Sequence, residues 1–189
     1  MAGPAEVLDF WFGAPDSPER GRARKAWFVK SDAFDQSIRE RFAATTLAAR
    51  RGELDHWSDT PLAGLALLIL LDQFPRNLHR GSADAFASDA RALSVARTLL
   101  GRGFDRVLRP VERLFVYLPF EHSEDLAVQR TSLALFEALA RDGQDNVDYA
   151  RRHYEFILRF GRFPHRNAAL GRASTPQELA FLAQPGSSF

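Results

Sequence analysis

Cysteine is missing from the 189-residue sequence, which excludes disulfide bonds, thiolate nucleophiles and cysteine-based zinc or iron–sulfur sites. Lysine is nearly missing as well, because Lys25 and Lys30 are the only two and every other basic residue is an arginine. Arginine tolerates burial against carboxylates better than lysine does. Neither sign of charge is in excess, since 25 basic residues face 24 acidic ones, so bulk charge predicts no nucleic-acid partner.

Long hydrophobic runs and targeting signals are also lacking. The most apolar stretch, residues 62–71, reaches about half the length that spans a bilayer, so we expect no membrane partner. The N-terminal segment carries Glu6 and Asp9 and no basic region, which is untypical of a secretory signal. We therefore expect a cytoplasmic protein. Phosphate-binding glycine-rich loops and the HExxH spacing of a metal site are absent, so we predict no cofactor and no metal.

Hydrophobic residues recur at helical spacing along the chain, and no segment alternates as a strand would. Proline, glycine and capping residues divide this pattern into about eight helices with short connections. The predicted helices run from Pro4 to Gly13, over residues 31–51 and 62–74, from Ser82 or Asp84 to Gly101, from Pro110 to Pro119, from an N-cap at Ser123 to Gly143, over residues 147–160, and from Thr175 onward. The pattern predicts one all-α domain over residues 1–189, built from antiparallel helix pairs that could stack as a short solenoid.

Polar residues interrupt the apolar pattern at three predicted helix junctions. These junctions are residues 70–81, 118–129 and 159–172. The third is rich in arginine and contains no acid, whereas the second places Glu121, Glu124 and Asp125 beside His122. A basic junction and an acidic one would complement each other if helix packing brought them together.

The first and third junctions share a short pattern. Residues 74–77 read Phe-Pro-Arg-Asn, and residues 163–167 read Phe-Pro-His-Arg-Asn. Proline forces the preceding residue out of the α region, so each pattern should end a helix and present an Arg-Asn pair there. A duplicated helix pair would produce this similarity, as would chance in an arginine-rich chain.

We interpret the three junctions as a polar cleft for a small anionic metabolite or a peptide carboxylate. The planar fork of arginine suits bidentate capture of either anion. The candidate ligand-binding residues are Asp72, Arg76, Asn77, His122, Glu124, Asp125, Arg162, His165, Arg166 and Asn167. In this hypothesis the three arginines contact the anion, the two asparagines shape the loops, and Glu124 and Asp125 orient the arginines.

Three other interpretations stay open. The acids and arginines can form a purely structural network, since acids cap helix starts and arginines pair with them or with carbonyls. The chain can instead be a hydrolase or lyase in which His122 or His165 is the general acid–base and Glu124 is its partner. Stacked helix pairs can also present a concave groove to another protein. No catalytic residue and no oligomeric state follow from the sequence.

Four motifs resemble those of one bacterial family. They are VLDFWFG at residues 7–13, LDQFPRN at 71–77, LPFEHSED at 118–125 and RFGRFPHRN at 159–167. Together they resemble domain-of-unknown-function family 924 over nearly the whole chain. The resemblance implies an all-helical fold similar to the right-handed superhelices of tetratricopeptide repeats, and it implies no reaction or catalytic residue. Glu121 departs from it, because an apolar residue such as methionine is expected there.

Overall fold

The computed structural model describes residues 1–187, which fold into helices and connecting turns with no strand among them. The α-helices are α1 (Pro4–Phe12), α2 (Asp32–Arg51), α3 (Pro61–Leu68), α4 (Phe74–Leu78), α5 (Asp89–Gly101), α6 (Pro110–Glu121), α7 (Leu126–Arg141), α8 (Val147–Phe160) and α9 (Pro176–Leu182). A π-helical turn, Ile69–Gln73, joins α3 to α4 into one continuous helix. The predicted all-α fold of about eight helices is confirmed, and the superhelical arrangement and single domain stay predictions. The predicted boundary at residue 189 lies outside the described residues.

Local capping signals set many of the helix ends as predicted. Ser31 caps α2 by accepting a hydrogen bond from the Phe34 N–H, and Gly52 ends that helix with a φ of 86°. Gly161 ends α8 with a φ of 69°, a left-handed conformation that only glycine adopts without strain. Thr175 forms a reciprocal capping box at the start of α9.

The prediction that Pro75 ends a helix is wrong, because the chain continues through it by way of the π turn. Proline has no N–H to donate to the carbonyl four residues earlier, and its ring crowds that carbonyl. The wider turn makes room, with the Phe74 N–H donating to the Ile69 carbonyl. The Leu71 carbonyl, which Pro75 cannot satisfy, accepts instead from the Ser88 hydroxyl at 2.6 Å.

Three further predicted boundaries are also wrong. Pro119 lies inside α6, whose last turn stays helical because Leu118 and Phe120 are buried in the core. Ser82 caps only a short 3₁₀ turn, and α5 begins later, at Asp89. The N-cap of α7 is Asp125 rather than Ser123, since its carboxylate accepts from the N–H groups of the first turn.

The core is centred on α3 and its π turn, where every side chain from Leu65 to Leu71 is fully buried. Aromatic side chains surround it, as the sixteen phenylalanines and three tryptophans predict. The Trp11 ring, for example, packs edge-on against Phe74 and Phe115 at 5.7 and 5.6 Å between centroids. Among residues 1–187, no helix has the length and apolarity needed to cross a bilayer.

Candidate functional site

The π turn places Asp72 at the bottom of a polar site, with 1% of its side chain exposed. Its Oδ1 lies 2.7 Å from Nδ1 of His122, and the neighbouring Gln73 amide donates to its other oxygen. Burial alone would raise the pKa of Asp72, but the His122 hydrogen bond and the Arg76 charge outweigh burial and lower it. The carboxyl is therefore ionised at neutral pH.

His122 follows α6 directly as its C-cap residue, with 13% of its side chain exposed. An ionised carboxylate can only accept, so Nδ1 of His122 carries the hydrogen that lies between the two groups. Burial and the Arg76 charge lower the pKa of His122, which keeps the imidazole neutral. In that tautomer Nε2 carries a lone pair, and among residues 1–187 no side chain or backbone group is hydrogen-bonded to it.

Two arginines from distant segments meet on the carboxylate of Asp89, the first residue of α5. Arg76 of α4 donates through both terminal nitrogens at 2.9 and 3.0 Å. Arg166 donates through Nη1 at 3.1 Å. These are the arginines of the two Phe-Pro patterns, so the structure brings the first and third junctions together.

Arg166 is held in an unusual environment for a cation, with 7% of its side chain exposed. Its guanidinium lies between the rings of Phe86 and Phe163, at 4.6 and 4.5 Å from their centroids. Burial lowers the pKa of Arg166 to about 10, although Asp89 opposes this. Its Nε is buried and has no hydrogen-bond partner within the described part of the chain.

A buried layer of two titratable groups lies behind His122. The His153 ring is 6.3 Å from the His122 ring between centroids, and its Nδ1 is 2.9 Å from the Tyr149 carbonyl and 3.4 Å from Oε1 of Glu121. Burial raises the pKa of Glu121 to about 8, with Asp72 adding to the effect, so this carboxyl is protonated at neutral pH. Burial lowers the pKa of His153 well below its ordinary value.

His165 completes the polar side of the site. The Phe163 ring lies between it and His153, with centroid distances of 5.6 and 5.4 Å. Burial and the Arg166 charge lower the pKa of His165 to about 4, so it is neutral. We call the four partly exposed residues Arg76, Asp89, His122 and His165, together with the buried Arg166, the histidine–arginine centre.

Two of the predicted site residues belong to ion pairs elsewhere. Arg162, predicted to contact the anion, donates to both oxygens of Glu178 at 2.6 and 2.7 Å. Glu124, predicted as the partner of His122 or His165, accepts two hydrogen bonds from Arg172 and one from the Phe163 N–H. Arg162 is therefore paired outside the centre. Glu124 makes no hydrogen bond to His122 or His165 within residues 1–187, although its charge acts on His165 and Arg166.

The remaining predicted residues have structural roles. Asn77 donates to Asp35 of α2, and Asn167 donates to Ser174 in the segment before α9. The Asp125 carboxylate caps α7, and within residues 1–187 no arginine donates a hydrogen bond to it. Its side chain borders a separate surface pocket that includes no residue of the histidine–arginine centre.

Sequence reasoning missed Asp89 and the importance of Glu121 and His153. Asp89 stands in a first helical turn, where an acid is readily explained by the helix dipole. Glu121 offered the better signal, since an acid replaces the apolar residue that the resemblance leads one to expect. Within residues 1–187, no three histidine, aspartate or glutamate side chains are arranged to hold a metal ion.

The fold and this centre define an all-helical protein in which an aspartate–histidine pair lies beside two arginines that share one carboxylate. Residues 7–186 match the model of a family described as bacterial protein of unknown function (DUF924), and the chain belongs to that family. It is similar to a solved structure titled as a protein of unknown function, ATU0120, from Agrobacterium tumefaciens. The two share 40% sequence identity with a TM-score of 0.84, over 95% of this chain and 96% of that one. No curated protein matches the chain significantly.

Proposed function

We propose that the chain binds a small anionic ligand, a carboxylate or a phosphate, at the histidine–arginine centre. The observation that carries this proposal is the convergence of Arg76 and Arg166 on one partly exposed carboxylate next to His122. Arginine is the side chain that proteins favour for planar recognition of carboxylates and phosphates.

The incomplete pairing of Arg166 supports the proposal. A guanidinium has five N–H donors. Arg162 places two nitrogens on the carboxylate of Glu178, as a structural ion pair does, whereas Arg166 reaches Asp89 through Nη1 alone. The buried Nε of Arg166 is left without an acceptor in the described chain. A ligand oxygen would supply that acceptor and offset the burial of the cation.

The limited exposure of the centre favours a small ligand. Arg76, Asp89 and His122 expose 21%, 17% and 13% of their side chains. These side chains offer little surface to a large partner. We therefore propose a small molecule as the partner, in a cytoplasmic protein, rather than nucleic acid or a membrane. The net charge of +1 supports the exclusion of nucleic acid.

Thermal unfolding in the presence of phosphate, sugar phosphates and dicarboxylates tests the proposal. At 100 times its Kd, a ligand stabilises the folded state by about 2.7 kcal/mol, which raises the Tm of a chain of this size by roughly 5–10 °C. We expect this rise in Tm in the wild type and its loss in Arg166→Gln. Arg162→Gln is the control and should keep the rise, because Arg162 is paired with Glu178 in the wild type. Sodium chloride at matched ionic strength controls for screening. An anion response that is equal in the wild type and Arg166→Gln would reject the site.

A further inference from the structure

We propose that His122 and Asp72 form a catalytic dyad in which Nε2 of His122 is the general base for hydrolysis of an ester of a small anionic acid. The placement of the substrate rests on the proposed function, since Arg166 would hold its acidic group. The dyad itself rests on separate observations: the short Asp72–His122 hydrogen bond and the fixed tautomer that it imposes.

The dyad geometry is that of an oriented base. Asp72 is buried, and the π turn that carries it is of a kind often found at functional sites. Its hydrogen bond to Nδ1 leaves the lone pair on Nε2, on the ring nitrogen that no described residue occupies. A carboxylate that holds an imidazole in this tautomer also stabilises the imidazolium that forms when the base accepts a proton.

We assign the nucleophile to water. The Ser88 hydroxyl donates its hydrogen to the Leu71 carbonyl at 2.6 Å, no hydrogen bond joins a serine or threonine hydroxyl to His122 within residues 1–187, and the chain has no cysteine. The proposed reaction is therefore written without a covalent intermediate on the protein.

The step balances with water as the second reactant. Nε2 removes one proton from water as the water oxygen bonds to the ester carbonyl carbon, and the carbonyl electron pair moves onto its oxygen. When this intermediate collapses, the bond from carbon to the ester oxygen breaks, and the leaving alkoxide takes the proton from Nε2. The products are an acid and an alcohol, and His122 is neutral again. The guanidinium of Arg76 is the nearest cation to the dyad for the oxyanion.

The ionisation of His122 depends on charged and titratable groups from several packed elements. Those facing it are Asp72 from the π turn, Arg76 from α4, Asp89 from α5, Glu121 from α6, His153 from α8, and His165 and Arg166 from the loop after α8. Burial and Arg76 together outweigh Asp72 and Asp89, so the pKa of His122 lies below 6.5. The base is therefore available in its neutral form throughout the neutral range.

Chemical modification by diethyl pyrocarbonate tests the dyad without knowledge of the substrate. This reagent acylates neutral imidazole, and peptide mass spectrometry separates His122 from the exposed His56. Because the pKa of His122 is lowered, we expect its reactivity to persist below pH 6.5, the ordinary pKa of an imidazole. In Asp72→Asn the amide can donate to Nδ1 and shift the hydrogen to Nε2, so we expect a fall of at least tenfold at His122 only. Asp35→Asn, which removes a buried carboxylate from Arg80, should leave both rates unchanged.

Ester hydrolysis tests the activity, with the mono-p-nitrophenyl ester of succinate compared with neutral p-nitrophenyl acetate. A general base contributes about 100-fold or more, so we expect His122→Gln and Asp72→Asn to lose about that factor with both esters. Arg166→Gln should reduce hydrolysis of the charged ester more than that of the neutral one, so the ratio between the two rates should fall. A solvent deuterium isotope effect should accompany the wild-type reaction, because the proton leaves water in the step that Nε2 promotes.

The outcomes separate the two proposals. Full hydrolysis of both esters by His122→Gln, or equal reactivity of His122 in the wild type and Asp72→Asn, overturns the dyad even if phosphate raises the Tm. Reactive His122 and working hydrolysis in a protein that shows no anion effect on Tm support the dyad and reject the anion site.

Discussion

Ser88 shows how one hydroxyl supports the backbone of the site. The π turn exists because Pro75 leaves the Leu71 carbonyl without its usual helical donor, and Ser88 supplies that donor from the start of α5. Ser88 is 4% exposed, so water cannot readily replace it. The position of Asp72, one residue after Leu71, therefore depends on a contact between two helices.

Replacing Ser88 by alanine should destabilise the protein by about 1–3 kcal/mol, since it removes the buried hydrogen bond from the Ser88 hydroxyl to the Leu71 carbonyl. Ser94 provides a matched control, because it is an exposed serine in the same helix, and its replacement should change stability by less than about 0.5 kcal/mol. Urea unfolding of the two variants measures both values. A result in which Ser88→Ala costs no more than Ser94→Ala would mean that the turn does not need the hydroxyl.

At the scale of an element, α7 depends on which residue caps it. The Asp125 carboxylate accepts from the Ala127 and Val128 N–H groups at 2.8 and 3.0 Å. The Ser123 hydroxyl contacts only the turn before the helix, where its oxygen accepts from the Asp125 N–H. Asp125 is therefore the N-cap of α7, and Ser123 binds only the backbone of that cap residue.

Asp125→Ala should lower stability by about 0.5–2 kcal/mol, the range for loss of an N-cap. Ser123→Ala removes only the bracing hydrogen bond, so its effect should be smaller. Chemical denaturation of both variants at neutral pH gives the comparison. If Ser123→Ala were the more costly, Ser123 would be the effective cap and the helix start would move back toward it.

Helix ends could be predicted where they depend on residues of the same short segment. They could not be predicted where they depend on a contact with a distant segment. Ser31, Gly52 and Thr175 act on their own helix, and the structure has them as the sequence predicts. Pro75 has an effect that depends on Ser88, which no local pattern reveals. The same division holds for the site: the polar junctions were visible, but the pairing of Arg162 with Glu178 rather than with the centre depends on packing.

At the scale of the whole molecule, buried titratable groups make stability depend on pH in two opposite directions. The raised pKa of Glu121 means that its contribution is full below about pH 4.5 and is lost as the pH rises through about 8. The pKa of His165, lowered to about 4, acts the other way, because its contribution is present above about 6.5 and is lost as the pH falls toward 4. Stability should therefore be highest at mildly acidic pH.

Glu121→Met should remove the alkaline limb of this profile and leave the acid limb. At pH above 8 we expect the variant to be more stable than the wild type by roughly 1–4 kcal/mol, as when apolar residues replace buried charges. Near pH 5 the two should be close, since the wild-type carboxyl is then protonated. Glu137→Gln, at an exposed position of α7, is the control and should keep the wild-type profile. Thermal unfolding across pH measures this, and an unchanged alkaline limb in Glu121→Met would assign it to another group.

Because Asp89 accepts hydrogen bonds from both Arg76 and Arg166, its negative charge has two cationic partners. Losing either arginine leaves the carboxylate with the other, so single substitutions understate what the pair contributes. Only the double variant strands a largely buried negative charge, and its effect should exceed the sum of the single ones. A chain organised in this way can change one cationic position during evolution without collapse, which leaves room for the recognition of new ligands to arise.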